Sequence, residues 1–206
     1  MALPDGVIDR TKSHEGLALW PYLDTAKKPQ VTIGYGHVVV DVAAFKALPL
    51  VGIDLTSTAD PPAKQQAWDA IQGMVEDQEK REKKDKHTAA YYASATAVRV
   101  TAGEALNTLT ADLEIAVAEL KKKFPHYDGY PAPGQAGLID MIFNMGATRF
   151  TDSLWPRLFA AMNAKDAIPD WNGVAAECER PALNSDRNKE IKELFLAAAQ
   201  QQPKKP

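Results

Sequence analysis

Two carboxylates and a hydroxyl lie close together early in the chain. Glu15 ends a short stretch of helical character, and Asp24 and Thr32 follow it within one short segment. Leu17 to Tyr22 and Val31 to Tyr35 are rich in apolar, aromatic and β-branched residues. The polar run Asp24-Thr25-Ala26-Lys27-Lys28-Pro29-Gln30 separates them. This pattern predicts an antiparallel hairpin, which would return the chain on itself and let Glu15, Asp24 and Thr32 converge. Two carboxylates across a cleft are the minimal equipment for glycoside hydrolysis. One must be protonated and deliver a proton, and the other must stay ionised to hold or activate water. The same residues also fit a blander reading: solvated acids at turns beside an ordinary strand threonine.

Other side chains join or leave this picture by type. Tyr22 and Tyr35 suit stacking on sugar rings or, as aromatics in short strands, the core. His37 follows Gly34-Tyr35-Gly36 and reads as a cleft histidine or a hydrogen-bonded structural one. A single histidine is not a metal set, so no metal and no cofactor are expected. His14 adjoins Glu15 and either tunes it or points elsewhere. Asn144 suits the cleft or a capping role. Trp68, Trp155 and Trp171 are read as core, and Cys178 as a small buried hydrophobe. No P-loop, zinc spacing or serine elbow is present, and Gly34-Tyr35-Gly36 lacks the third glycine of a dinucleotide loop.

Several elements must position these groups. A helix is expected over 3–14, with Gly16 ending it, and the paired glycines Gly34 and Gly36 imply a bend or close backbone approach. From Val38 to Leu55 no firm element is assigned. Asp60-Pro61-Pro62 opens a helix whose stripe Ala67, Trp68, Ile71, Met74, Val75 and Gln78 is apolar except at its last position. That helix is expected to run on into the mixed charges of Glu76 to Lys86, which read as a solvated face. Thr101-Ala102-Gly103-Glu104 fits a capping box, followed by Leu106, Leu109, Leu113, Val117 and Leu120 and ended by Phe124-Pro125. Gln135 to Met145 forms a second strong helix, with Leu138, Ile139, Ile142 and Phe143 buried and Gly146 closing it. Shorter helices are expected near Ser153–Asn163, Ile168–Cys178 and Asp186–Ala199, with a flexible tail at 200–206.

Composition bounds the rest. The chain has 206 residues, 45% hydrophobic and 25% charged, with a net charge of -3, which suits one globular domain or two small lobes on a shared core. The slight acidity argues against nucleic-acid binding, no apolar run approaches a membrane span, and a single cysteine excludes an internal disulfide framework. Met1 to Gly6 shows no secretory signal, so synthesis in the cytoplasm is expected.

At this point the motifs carry a resemblance. His14-Glu15-Gly16-Leu17, Tyr22-Leu23-Asp24 and Thr32-Ile33-Gly34-Tyr35-Gly36-His37 resemble the active-site segment of phage-type lysozymes, the glycoside hydrolase family 24 muramidases. Val100 to Leu106 with Asp112-Leu113 is similar to that family's inter-lobe helix, Leu138 to Gly146 to its buried central helix, and Ser185-Asp186-Arg187-Asn188 through Phe195 to its arginine-bearing C-terminal helix. The resemblance covers about 3–37 and 98–199. It implies an α+β, mainly helical, lysozyme-like two-lobe fold with a small N-terminal antiparallel sheet and a helical C-terminal lobe. A single domain over 1–199 is expected, its N-terminal lobe at about 12–100 and its helical lobe at about 101–199 plus the first helix.

The resemblance also implies function. Glu15 takes the place of the general acid, Asp24 of the carboxylate that orients or activates water, and Thr32 of the residue that helps hold that water. Tyr22, Tyr35, His37 and Asn144 would line the substrate, and Arg187 matches an arginine near the glutamate, unless it is a plain surface cation. The expected reaction is inverting hydrolysis of the β-1,4 bond from N-acetylmuramic acid to N-acetylglucosamine, by a monomer acting on peptidoglycan strands. Its setting would be the periplasm or cell wall, reached by holin-type release or by injection as an antibacterial effector or bacteriocin with a cognate immunity protein. A wall-binding module without catalysis is the competing class. Two departures stand out: the Asp24–Thr32 stretch is longer than the family's turn, and an insertion occupies about 38–97. The insertion is expected to elaborate the N-terminal lobe, shaping the cleft rim or binding a partner.

Overall fold

The structure, a computed structural model, describes residues 3–164, 168–181 and 183–202. In chain order it contains α1 (Val7–Glu15), β1 (Ala18–Leu23), β2 (Val31–Gly34), β3 (His37–Val38), α2 (Val42–Ala47), β4 (Val51–Gly52), α3 (Pro61–Gln72), α4 (Val75–Lys80), β5 (Val98–Arg99), α5 (Ala102–Lys123), α6 (Ala132–Met145), α7 (Pro156–Met162), α8 (Trp171–Glu177) and α9 (Ser185–Gln201). Helices dominate and strands are few, so the chain is α+β and mainly helical, with a small antiparallel sheet near its start. It divides into two compact units, one over 15–111 and the other formed from the described parts of 1–14 and 112–206.

In the unit 15–111, β1, β2 and β3 form an antiparallel sheet that pairs Tyr22 with Thr32, Leu23 with Val31, and Ile33 with His37. The β1–β2 register shifts between Ala18 and Tyr22. Pro21 lies in that shift, where its missing N–H costs the ladder nothing. Gly34 has a φ of 69°, and a Cβ there would stand 3.3 Å from the Cβ of Ala105, so both conformation and space call for glycine.

The stretch 38–97 folds onto the same sheet. Leu23, Val31 and Ile33 share one core with Val39, Phe45, Leu50, Ala67, Ile71, Tyr92 and Val98. Between Val38 and Leu55, where no firm element was assigned, Asp41 caps α2 by accepting the Ala44 N–H at 2.7 Å, and β4 pairs with β5. Asp60 caps α3 in the same way, through the Ala63 N–H at 2.8 Å, with proline in the first turn.

The expected continuous helix through Gln78 into Lys86 is not formed. α3 stops at Gly73, α4 ends at Lys80, and short 3-10 turns follow at Lys83–Asp85 and Ala89–Ser94. Glycine inside a helix costs about 1 kcal/mol relative to alanine, so the break falls where it is cheapest. The chain must also fold back, because Gln78 and His87 are hydrogen-bonded to each other. In a straight helix those positions would be roughly 13 Å apart along the axis.

α5 begins with half of the expected capping box. Thr101 Oγ1 accepts the Glu104 N–H at 3.2 Å, but the Glu104 carboxylate reaches forward to Asn107 Nδ2 at 3.2 Å. Leu109, Leu113, Val117 and Leu120 are buried along it, whereas Leu106 is exposed.

In the other unit α6 packs on α9, α9 on α8 and α8 on α7. α6 starts at Ala132, three residues before Gln135, because Pro131 and Pro133 suit a helix's first turn. Leu138, Ile139 and Ile142 are buried and Phe143 only partly so. Trp171 is buried as expected, while Trp155 here and Trp68 in the first unit are half-buried. α9 continues through Gln201, and Gln202 Nε2 donates to the Pro169 carbonyl at 3.2 Å, so the expected tail starts later than 200. Its remainder lies outside the described residues.

Candidate active site

Glu15 is the last residue of α1 and is half-buried, with Oε1 screened from solvent. Gly36, at φ 84°, brings bare backbone against it: a Cβ at that position would stand 3.5 Å from Glu15 Oε2. The two glycines around Tyr35 therefore serve separate purposes. Gly34 admits α5, whereas Gly36 is called for by its φ, a Cβ there making only ordinary contact with Glu15.

Asp24 closes the loop that follows β1. Its Oδ1 accepts the N–H of Ala26 at 3.0 Å and of Gln30 at 3.1 Å, while its own N–H donates to the Gln30 carbonyl at 3.1 Å. The loop between Asp24 and Thr32 is thus folded back on the aspartate. Among the described residues its second oxygen, Oδ2, takes no protein hydrogen bond. Thr32 is 3% exposed and donates its hydroxyl to the Gln30 carbonyl at 3.2 Å. Its lone pairs remain able to accept. Asp24 and Thr32 therefore grip Gln30 together.

Tyr22 lies opposite Thr32 and feels both carboxylates. Its phenol is pushed up to about 12, first by burial and then by the negative charges of Glu15 and Asp24. Both acids thus lie within electrostatic reach of the same ring, which stays neutral across the physiological range. Tyr22 and Tyr35 are each half-buried against the core, and His37 is half-buried on β3 opposite Ile33. The sheet thereby groups Glu15, Tyr22, Asp24, Thr32, Tyr35 and His37 in one unit.

Asn144 and Arg187 belong to the other unit, where a buried charge cluster organises them. Asp140, 4% exposed, sits in the otherwise apolar α6. Its Oδ1 accepts from Arg180 Nη2 at 2.6 Å, and its Oδ2 accepts from Arg187 Nη2 at 2.9 Å and Nε at 3.2 Å. His14 faces the same cluster, with Nδ1 3.1 Å from Asp140 Oδ2 and Nε2 2.8 Å from Glu190 Oε2. Burial alone would raise the Asp140 carboxyl, but the Arg187 and Arg180 guanidiniums outweigh it and hold the group below the usual carboxylate range. Glu190 is likewise lowered: burial opposes this, and hydrogen bonds from His14 and Arg10 prevail. Arg187 is 7% exposed, so it is not a surface cation. Asn144 is exposed, its Oδ1 3.4 Å from Arg180 Nη1.

Two groups near Asp24 were not singled out from the sequence, Gln78 and Lys86. Gln78 carried a signal, as the one polar residue in an apolar helical stripe. Lys86 carried none, being one cation within a mixed charge run. Asp140, in an apolar helix, carried the same kind of signal as Gln78.

Among the described residues no group of His, Cys, Asp and Glu is arranged to hold a metal ion, and no helix is long and apolar enough to cross a membrane. No protein-family model matches the chain, and no curated protein matches it significantly.

Proposed function

We propose that this chain is a peptidoglycan muramidase with a lysozyme-like fold, hydrolysing the β-1,4 bond between N-acetylmuramic acid and N-acetylglucosamine. The observation that carries the reading is the pair of carboxylates, Glu15 and Asp24, both bearing on the half-buried ring of Tyr22 within the unit 15–111. The resemblance of the surrounding motifs to phage-type lysozymes gives the pair its roles. Glu15, partly withdrawn from water, protonates the leaving glycosidic oxygen. Asp24, oriented through Oδ1 by two backbone N–H groups, uses Oδ2 to take a proton from the attacking water. Thr32 accepts a hydrogen bond from that water while its own hydroxyl proton is committed to Gln30. Direct attack by water gives inversion.

The test is mass spectrometry of digested sacculi. Wild type should release muropeptides with reducing ends on N-acetylmuramic acid, without anhydro ends. Glu15→Gln should fold normally by circular dichroism and release none above background. Wild-type release by that variant would overturn the reading. So would binding of sacculi by the wild type with no new reducing ends, which would mark a wall-binding module.

A further inference from the structure

Gln78 lies in the insertion, is 0% exposed, and uses both ends of its amide on the backbone. Its Nε2 donates to the carbonyl of Asp24 at 3.2 Å and to that of His87 at 3.0 Å, and its Oε1 accepts the His87 N–H at 3.0 Å. Lys86 adds a second tie, its Nζ donating to the carbonyls of Ala26 at 2.8 Å and Gln78 at 2.9 Å. The Asp24 carboxylate gathers the loop from within, through the N–H groups of Ala26 and Gln30. Gln78 and Lys86 gather it from without, through the carbonyls of Asp24 and Ala26. Thr25 to Lys28 are exposed, so these polar ties rather than packing define the turn.

We propose that Gln78, assisted by Lys86, is a positioning residue for Asp24, and that the insertion exists in part to hold that carboxylate where the attacking water needs it. The proposal rests on the muramidase reading for its catalytic consequence, but not for the placement of Asp24 itself. An amide suits the task because it donates and accepts at one site. Leucine would fill the space and leave three part-buried backbone groups without the Gln78 amide. Reaction rates respond steeply to such placement, a 1 Å error costing about 100-fold.

The experiment pairs kinetics with amide exchange. Gln78→Leu should lower kcat on soluble glycan fragments about 10- to 100-fold with KM nearly unchanged, activity being normalised to the folded fraction. Lys86→Met, which spares the buried amide and keeps the chain folded if Gln78→Leu does not, should show the same split at about 3-fold. Gln135→Leu is the control. Its amide donates to the Tyr127 and Tyr130 carbonyls, both at 3.1 Å, in the other unit, so it should lose stability and keep kcat. Exchange of the Ala26 and Gln30 amides should speed at least about 10-fold in Gln78→Leu, or in Lys86→Met in its place, and stay unchanged in Gln135→Leu. Unchanged kcat and unchanged exchange in the folded variants would overturn the proposal. An equal kcat loss in the control would overturn it too. If wild type cleaves no glycan, the muramidase reading falls alone, and the exchange result decides whether Gln78 places Asp24.

Discussion

The two units of the chain differ in how they hold their most prominent polar groups, although Gln135 in the second unit is also tied to backbone carbonyls. In 15–111 the interior polar side chains are stitched to backbone: Gln78 and Lys86 to carbonyls, Asp24 to N–H groups, Trp20 Nε1 to the Ala89 carbonyl at 2.7 Å. In the other unit a cluster is bound charge to charge, with Asp140 between Arg180, Arg187 and His14, and Glu190 against His14 and Arg10. A stitched loop has its shape dictated locally. A charge cluster draws together elements far apart in sequence, and it depends on protonation and on every member being present.

Asp140→Ala should expose that dependence most strongly, because it removes the carboxylate that both buried guanidiniums, Arg180 and Arg187, hydrogen-bond. A loss of about 3–5 kcal/mol is expected, seen as a melting point lower by about 10 °C. Asp140→Asn, which keeps the shape and loses the charge, should recover only part. If either variant melts like wild type, the cluster is not what holds these helices.

A packing change in the same unit ranks next. A Cβ at Gly137 would stand 2.6 Å from Phe195 Cε1, so Gly137→Ala should cost about 1–3 kcal/mol by overpacking, measured by urea denaturation. In the other unit, Asp60→Ala removes the cap of α3 and should cost about 1 kcal/mol, read as faster exchange of the Ala63 amide. Exposed pairs come last. The Lys80–Glu76 pair is exposed on both sides, and Lys80→Ala should leave the melting point unchanged.

The units should also part company in pH. Asp140 and Glu190 are lowered on folding, so their contribution is complete above the ordinary carboxylate pKa of about 4. It fades as pH falls through their lower folded values. Tyr22 is raised from 10.0 to about 12, so its contribution is complete below about pH 10 and fades as pH climbs through about 12. Exchange measured residue by residue should therefore show α6 and α9 loosening before β1–β2 in acid, whereas in alkali the raised phenols of Tyr22 in one unit and Tyr127 in the other loosen both. Simultaneous loosening in acid would remove the distinction.

The hairpin, the glycine pair, the proline-led start of α3 and the apolar faces of α5 and α6 were legible because each rests on neighbours in sequence. Hidden from sequence was whatever depends on distant residues meeting. The α3–α4 stripe looked continuous because periodicity does not register that Gln78 must face His87 across a reversed chain. Gln78 looked like a blemish on an apolar face until its partners were known. Arg187 read equally well as exposed because nothing in its own helix names Asp140, forty-seven positions earlier. For the candidate site, Asp24 and Thr32 were legible as types, whereas their joint hold on Gln30 was not.

Gly137 also constrains how this sequence can change. Its missing side chain is occupied by the ring of Phe195, as that of Gly134 is by the indole of Trp171, 2.7 Å from where a Cβ would lie. A larger residue at either position becomes tolerable only after the facing aromatic has shrunk, and that first step itself opens a cavity. Drift at these sites must therefore proceed in a fixed order through a less stable intermediate. Glycine–aromatic pairs of this kind should persist together or vanish together among descendants of this chain.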